Sequence, residues 1–229
     1  MAELYYIDIE EEISAEGYQT LLGICASDKR EAINKYRYEA DRKRTLYGEA
    51  LARFMIAKQA GVRMKDIEFG RNPYGKPYVK DQNEVFYNIS HSGKYVVCGL
   101  DIEDIGVDIE EIREIDLDIA KRFFHVKEYA DIVSREISEQ IPRLYDFWTL
   151  KESYIKYLGV GLSKPLDSFY FILNGQSIHL CSKEDHAVYF HRYLIQDNYR
   201  LAACISRPDP INMEKISLHD LAAYIDGES

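Results

Sequence analysis

The sequence is poor in cysteine, proline and tryptophan, and these shortages exclude several classes of protein. Its 229 residues include four cysteines, six prolines and one tryptophan. Cys25, Cys98, Cys181 and Cys204 form no C-x-x-C pair and have no suitably spaced histidine partners, so we expect free thiols rather than a disulfide framework or a zinc site. Charged residues make up 30% of the chain and hydrophobic residues 46%, which excludes a disordered or collagen-like chain.

Positive charge and long apolar runs are also scarce. The 29 Lys and Arg residues stand against 39 Asp and Glu residues, which gives a net charge of −10. A surface this acidic disfavours nucleic acid and anionic membranes as partners. No uncharged run approaches the ~18 apolar residues of a membrane-spanning helix, and the first residues lack the basic and apolar regions of a signal peptide. We therefore expect a cytoplasmic protein in which a local basic patch, helped by a metal ion, holds any anionic ligand.

The hydrophobic pattern that is present predicts the α+β class. The elements follow the order β-α-α-β-β-β and then α-α-β-β-β-β-α, so that in each half helices pack against an antiparallel sheet. The short acidic turn at residues 101–104 predicts a boundary between halves 1–104 and 105–229, with the cleft between them as a favoured ligand position. The predicted strands are residues 4–9, 86–89, 95–100, 105–109, 169–173, 177–180, 187–194 and 200–205, and the predicted helices are residues 27–47, 46–60, 118–124, 126–132, 143–158 and 217–225.

Two carboxylates share one face of a predicted strand. Side chains alternate along a strand, so Asp108 and Glu110 point to the same side, about 7 Å apart. Such a pair on an apolar strand needs a cation between the two groups, and oxygen ligands of this kind suit Mg²⁺. The alternative is a solvent-facing strand end, because Glu111 and Arg113 follow directly.

A predicted helix brings a third carboxylate. Trp148, Glu152 and Lys156 lie at positions i, i+4 and i+8 and share a helix face. On the functional interpretation Glu152 supplies another oxygen to the metal, while Lys151 and Lys156 contact phosphate. The alternative is an ordinary Glu–Lys surface pair.

A polar segment is predicted to form an anion-binding turn between two strands. In Ser90-His91-Ser92-Gly93-Lys94, backbone N–H groups, hydroxyls and the imidazole of His91 could all donate to an anion. The alternative is a structural turn histidine. A serine hydrolase is disfavoured because the chain has no G-x-S-x-G motif.

Two further segments suit a phosphorylated nucleotide. In Tyr74-Gly75-Lys76-Pro77 the glycine permits close backbone approach and Lys76 supplies a point charge. Arg42-Lys43-Arg44-Thr45 is a basic cluster in an acidic protein. The alternatives are an ordinary turn and a solvated helix face. Taken together, the five segments favour a phosphate ligand bridged by a metal ion.

These segments, in this order and spacing, resemble the 4′-phosphopantetheinyl transferases. The likeness covers about residues 27–207 and is to the long, Sfp-type branch that activates nonribosomal peptide synthetases. The motifs that carry it are Tyr74-Gly75-Lys76-Pro77, Phe86-Tyr87-Asn88-Ile89-Ser90-His91-Ser92, Ile105-Gly106-Val107-Asp108-Ile109-Glu110, Arg122-Phe123-Phe124 to Glu128-Tyr129, Phe147-Trp148-Thr149-Leu150-Lys151-Glu152-Ser153-Tyr154-Ile155-Lys156, and Gly161-Leu162-Ser163 to Leu166-Asp167-Ser168-Phe169.

The resemblance implies a monomeric transferase of two similar α/β halves related by a pseudo-twofold axis, with coenzyme A in the cleft between them. It would move the 4′-phosphopantetheine arm of coenzyme A to a serine of acyl or peptidyl carrier domains and release 3′,5′-ADP. The implied sites are Mg²⁺ ligands at Asp108, Glu110 and Glu152; nucleotide and 3′-phosphate contacts at Arg44, Lys76, Ser90 and His91; the Tyr74-Gly75-Lys76-Pro77 loop along the adenine; Lys151 and Lys156 near the pyrophosphate; and Lys29 at a phosphate.

The expected chemistry leaves some choices open. Attack of a serine hydroxyl on the β-phosphorus requires mainly positioning and charge neutralisation, with catalytic roles for Glu152, Lys156 and Glu128. The base is Glu152, Glu128 or a metal-bound water. Phe123 and Phe124 belong either to the carrier-binding surface or to the core. The alternatives for the whole chain are a non-catalytic coenzyme A- or nucleotide-binding protein, and a transferase specific for the fatty acid carrier protein.

Overall fold

The computed structural model describes residues 1–82, 84–184 and 186–227, without the side chains of residues 162 and 226. The chain divides into two compact units. Unit 1 comprises Met1–Arg71, Pro77–Glu103 and Asp209–Ser229, and unit 2 comprises Asn72–Lys76 and Asp104–Pro208. Residues 228 and 229, at the end of the predicted second half, lie outside the described part of the chain. The side chain of Leu162, which belongs to one motif of the resemblance, also lies outside it.

The described elements run from β1 to β11 and from α1 to α7. The strands are β1 Glu3–Asp8, β2 Phe69–Arg71, β3 Pro77–Val79, β4 Phe86–Ser92, β5 Tyr95–Asp101, β6 Ile105–Glu111, β7 Tyr170–Asn174, β8 Ser177–Cys181, β9 Tyr189–Ile195, β10 Tyr199–Ile205 and β11 Asn212–Lys215. The helices are α1 Ala15–Gly23, α2 Ser27–Lys35, α3 Glu39–Ala60, α4 Asp118–Phe123, α5 Val126–Val133, α6 Ile137–Leu158 and α7 Leu218–Gly227. Helices beside antiparallel strands in both units confirm the α+β class.

Unit 1 is built on a four-stranded sheet in the order β11-β1-β5-β4, with β2 and β3 as a separate hairpin. Helix α3 packs against β4 and β5 and ends at Gly61, whose φ of 68° is the left-handed conformation that closes a helix. Apolar side chains from α1, α3 and α7 form one core with the inner face of this sheet.

Unit 2 repeats this plan with a three-stranded sheet in the order β6-β10-β9 and the hairpin of β7 and β8. Helix α6 packs against β6 and β10 and also ends at a left-handed glycine, Gly159, with a φ of 66°. Both α3 and α6 are 22 residues long. The two units are therefore similar in architecture, as expected from the resemblance.

The unit boundaries differ from the predicted halves in two segments. Strand β11 pairs in parallel with β1, so Asp209–Ser229 belongs to unit 1 although it was assigned to the second half. Asn72–Lys76 belongs to unit 2 although it lies in the first half of the sequence. Both differences come from long-range contacts, which no local pattern reports.

Several predicted element boundaries were wrong. The chain is extended at Tyr36 between α2 and α3, so the helix predicted over residues 27–47 is two helices. Helix α6 begins at Ile137 rather than at residue 143 and continues through Pro142, although proline cannot donate the usual hydrogen bond. Helix α1 and strand β11 were missed because their apolar positions are too few to give a clear period.

The cysteine prediction is confirmed, since all four thiols are free. Cys25, Cys98 and Cys204 are buried, and Cys181 is half-buried. Within residues 1–82, 84–184 and 186–227, no helix is long and apolar enough to cross a membrane.

Candidate active site

The centre of unit 2 is a close contact between strand β6 and helix α6 that depends on a glycine. A Cβ atom added at Gly106 would collide with the backbone carbonyl oxygen of Ser153 and the backbone amide nitrogen of Tyr157. Side chains alternate along a strand, so Gly106 shares its face with Asp108 and Glu110. This face therefore points to α6, at the level where Glu152 and Lys156 lie.

Asp108 and Lys156 form an ion pair across this contact. The Asp108 carboxylate is buried, with 3% of the residue exposed, and Lys156 Nζ lies 2.6 Å from Asp108 Oδ1. A buried carboxylate is costly without a cation, and the ammonium group of Lys156 supplies one. The predicted helix face and the predicted strand face thus meet, which brings two of the predicted site residues together.

Glu152 lies next to this pair. Burial raises the pKa of its carboxyl above the ordinary value of 4.5, the negative charge of Asp108 raises it further, and Lys156 opposes both effects. The two carboxylates therefore repel each other. A cation placed between them would relieve this repulsion.

Glu110 lies two residues further along β6 and is half-buried. It stands directly opposite Arg200 of β10 in the sheet register, and Arg200 Nε lies 2.9 Å from Asp146 Oδ1. Among the residues that the structure describes, no three His, Cys, Asp or Glu side chains are grouped as metal ligands. The three-carboxylate metal site of Asp108, Glu110 and Glu152 stays a prediction.

The donor chemistry nevertheless fits Mg²⁺. This ion often takes only one or two carboxylates and completes its shell with water and substrate phosphate oxygens. Asp108 and Glu152 supply two carboxylates whose mutual repulsion favours a cation. Glu110 remains a predicted third ligand.

The loop Asn72–Lys76 is fastened to the end of α6. Lys76 Nζ donates to the carbonyl oxygen of Tyr157 at 2.8 Å and to Asp104 Oδ1 at 2.7 Å. Asn72 Nδ2 donates to the carbonyl oxygen of Gly159 at 2.8 Å, and its Oδ1 accepts the backbone N–H groups of Tyr74 and Lys76. A cation at a helix C-terminus is favourable, and Lys76 occupies this position at the end of α6.

The rest of the predicted adenine loop contains an exposed tyrosine and a glycine with a positive φ angle. Tyr74 is 61% exposed, and Gly75 has a φ of 92°, which only glycine adopts readily. Pro77 begins β3, opposite Arg71. The contacts of this loop with a nucleotide stay a prediction.

Ser90 and His91 do not form the predicted turn. Both lie in β4 and pair with Val97 and Val96 of β5, and the strand continues to Ser92 before the chain reverses at Gly93. Consecutive strand residues face opposite sides, so Ser90 is buried while His91 is exposed. The prediction of a backbone anion nest was wrong, because the small polar residues extend the ladder instead of ending it.

Arg44 lies near the start of α3 and contacts the same hairpin. Its Nη1 donates to the carbonyl oxygen of Gly93 at 2.7 Å and its Nη2 bonds Asp41 at 2.7 Å. Lys29 lies elsewhere in unit 1, with Nζ 3.8 Å from Glu49, and borders a cavity of about 740 Å³. Their predicted phosphate contacts stay predictions.

Glu128 and Lys151 lie away from this surface, in the interior of unit 2. Both side chains are 0% exposed, and Lys151 Nζ lies 2.7 Å from Glu128 Oε2. This enclosed position does not support the predicted pyrophosphate contact of Lys151 or the predicted role of Glu128 as a base. Both roles stay predictions.

Three residues of the site were not singled out from the sequence. Gly106 could have been, since a glycine inside a strand often marks a close backbone approach. Asn72 and Asp104 give no comparable signal, because their partners lie far along the chain.

Replacement of Glu152 by glutamine is expected to stabilise the protein at neutral pH. A carboxyl whose pKa is raised by folding binds its proton more tightly in the native state, so its contribution to stability is lost as pH rises through that pKa. Removal of the charge should raise the melting temperature at pH 8 by about 2–4 °C, with little change at pH 4. Thermal melts of Glu152→Gln at both pH values test this, with the exposed Glu139→Gln of the same helix as control. A lower melting temperature at pH 8 would contradict the placement of Glu152.

Comparisons with known families cover nearly the whole chain. Residues 104–204 match the 4′-phosphopantetheinyl transferase superfamily, and residues 12–101 match the N-terminal region of 4′-phosphopantetheinyl transferases. Among solved structures, the holo-[acyl-carrier-protein] synthase of Thermotoga maritima is similar over 44% of this chain and 61% of that chain, with 23% identity and a TM-score of 0.38, a likeness too weak to carry an argument.

Relatives of comparable length show the same family. The 4′-phosphopantetheinyl transferase Sfp of Bacillus subtilis is 38% identical, over 96% of this chain and 99% of the relative. The transferase gsp of Aneurinibacillus migulanus is 31% identical over 96% and 94% of the two chains, and psf-1 of Bacillus pumilus is 36% identical over 79% and 78%. The carboxylate pair and the lysine lie on the strand and the helix that contain the motifs of this family. This chain belongs to the 4′-phosphopantetheinyl transferase superfamily.

Proposed function

We propose that this chain transfers the 4′-phosphopantetheine arm of coenzyme A to a serine hydroxyl of acyl or peptidyl carrier domains, with release of 3′,5′-ADP, and that it activates nonribosomal peptide synthetases. The observation that carries the proposal is the grouping of Asp108, Glu152 and Lys156 between β6 and α6. We further propose a cytoplasmic monomer. Relatives of this chain are named 4′-phosphopantetheinyl transferases, which supports the proposed transfer.

The residues of unit 2 have distinct roles in this proposal. Asp108 and Glu152 would hold Mg²⁺, with Glu110 as the predicted third ligand. When bound, this ion would supply positive charge that stabilises the phosphate of the leaving 3′,5′-ADP. Lys156 would turn from Asp108 to a phosphate oxygen once the carboxylate has another cation, because its side chain is 27% exposed and can move.

The reaction exchanges one phosphorus–oxygen bond for another. The serine oxygen bonds to the β-phosphorus, the bond from that phosphorus to the bridging oxygen breaks, and 3′,5′-ADP leaves with the electron pair. Glu152 is placed to take the serine proton with its second carboxylate oxygen, because its raised pKa brings it nearer the working pH. Glu128 is fully buried, which supports Glu152 rather than Glu128 as the base in this proposal.

The binding of the nucleotide and of the carrier is proposed from fewer observations. Arg44, Ser90, His91 and the Tyr74–Pro77 loop stay the predicted contacts of the nucleotide. For the carrier, Phe123 is 53% exposed whereas Phe124 is 4% exposed. Of the two, we assign only Phe123 to the carrier-binding surface and Phe124 to the core.

Intact mass spectrometry tests the proposed reaction. We expect purified protein, coenzyme A, Mg²⁺ and apo carrier domains from a nonribosomal peptide synthetase to give a carrier heavier by one phosphopantetheine arm. A carrier in which the acceptor serine is replaced by alanine is the control and should stay unmodified. Binding of coenzyme A without transfer to any carrier would favour a non-catalytic binding protein, and transfer to the fatty acid carrier alone would favour the narrower transferase.

A further inference from the structure

Every charged or polar atom of the buried Glu128 and Lys151 side chains has a hydrogen-bond partner inside unit 2. The ammonium group of Lys151 has three N–H donors, and it contacts Glu128 Oε2 at 2.7 Å, the carbonyl oxygen of Leu166 at 2.7 Å and that of Phe169 at 2.8 Å. The ammonium also lies over the ring of Phe169, 4.3 Å from its centroid. No donor of Lys151 is left for a ligand.

Glu128 is satisfied in the same way. Its Oε1 accepts the backbone N–H of Phe171 at 2.9 Å, and its Oε2 accepts that of His125 at 3.2 Å in addition to Lys151. The bond to His125 belongs to the capping box at the start of α5. The carboxylate therefore joins α5, β7 and α6 at one point.

The direction of Lys151 fixes the direction of its neighbour. Successive residues of an α-helix point about 100° apart, so α6 cannot bury Lys151 beside Phe169 without turning Glu152 to one defined side. On that side lie Asp108 and Lys156. The backbone contact with Gly106 holds the same stretch of α6 from the strand side.

We propose that Glu128 and Lys151 form a positioning pair, which sets the rotation of α6 and thereby aims Glu152 and Lys156 at Asp108 without touching the substrate. The role of the pair in catalysis rests on the proposed transferase function, whereas the position of the pair in the fold is independent of that function. In this proposal Glu128 takes no proton from the substrate and Lys151 binds no phosphate.

A double-mutant cycle separates these roles. Lys151→Met leaves the Glu128 carboxylate buried without its cation, so the melting temperature should fall by about 10 °C. The double variant Glu128→Gln/Lys151→Met should recover part of this loss, because it removes the unpaired buried charge while the glutamine oxygen still accepts the N–H of Phe171. A double variant no more stable than Lys151→Met would contradict the pairing.

The catalytic readout is the Mg²⁺ concentration that gives half-maximal transfer, measured where each variant is folded. If Lys151 positions Glu152, this concentration should rise about fivefold or more in Lys151→Met and return toward the parent value in the double variant. If it stays at the parent value in folded Lys151→Met, the pair is structural only and the positioning role is wrong. A stable double variant that loses about 100-fold or more in kcat would instead show a reacting group.

The matched control is Lys164→Met. Lys164 Nζ lies 5.6 Å from the centroid of the same Phe169 ring, but it pairs with Glu184, which is 52% exposed. Loss of this pair should change the melting temperature by no more than about 2 °C. It should leave the Mg²⁺ concentration for half-maximal transfer unchanged.

A measurement on the unmodified protein covers the case in which no variant folds. The native protein is treated with an acetylating reagent, with and without coenzyme A, and its lysines are mapped by mass spectrometry. We expect Lys151 to stay unmodified in both samples, whereas Lys156 reacts and is protected by coenzyme A. Reaction of Lys151 that coenzyme A prevents would overturn the proposal. If the parent transfers no phosphopantetheine, the proposed function fails, while the melting and labelling results still decide whether the pair is buried and satisfied.

Discussion

Replacement of Asp108 by asparagine is expected to reduce phosphopantetheine transfer by about 1000-fold or more, because it removes the charge that pairs with Lys156 and repels Glu152. Asparagine keeps the shape of the side chain, so the strand register with β10 should persist. The neutral amide binds Mg²⁺ weakly and leaves Lys156 without its ion pair. The loss should appear in kcat/KM for coenzyme A at ordinary Mg²⁺ concentrations, in the assay that follows carrier mass.

The control for this variant is Asp118→Asn, an exposed carboxylate in the first turn of α4. It should transfer at the parent rate within about twofold. Melting curves establish that Asp108→Asn is folded. A folded Asp108→Asn variant with a near-normal rate would refute the assignment of Asp108 to the metal.

The second large effect is expected at Gly106. Alanine there would place its Cβ against the backbone of Ser153 and Tyr157, and helix backbone cannot move aside as a flexible side chain can. We expect α6 to shift away from β6, at a cost of about 3 kcal/mol or more in the free energy of unfolding. Because Glu152 and Lys156 move with α6, any folded Gly106→Ala protein should also lose transfer activity.

Gly48→Ala is the matched control. Gly48 lies within α3 of unit 1, and its added Cβ would be 3.4 Å from side-chain atoms of Ile89 and Val96, which is near ordinary contact. Alanine also favours the helix by about 1 kcal/mol over glycine. Urea unfolding should therefore show little change for Gly48→Ala and a large loss for Gly106→Ala. Equal stability of the two variants would mean that β6 and α6 are not so closely packed.

Much of the candidate site could be predicted because its residues follow short periods. Asp108 and Glu110 are two apart on a strand, and Glu152 and Lys156 are four apart on a helix, so each pair had to share a face. That the two faces meet was an expectation from the resemblance. The ion pair between Lys156 and Asp108 is consistent with it.

The errors arose where identical local patterns allow opposite placements. Ser90-His91-Ser92 is typical of a turn, yet its pairing with β5 makes it strand, because the hydrogen bonds of this hairpin outweigh a weak local preference. The parallel pairing of β11 with β1 and the position of Asn72–Lys76 also depend on contacts far along the chain.

Composition, charge and residue spacing predicted the α+β class and the residue types that suit a phosphate and a metal, because these properties are local or additive along the chain. The transferase family came from the resemblance of the motifs. Folding alone distinguished Lys151 from Glu152, which are neighbours in the sequence. One is enclosed with Glu128 and the other faces Asp108. A helix turns by about 100° per residue, so which of two adjacent charges becomes structural and which stays chemical depends on what packs against each side.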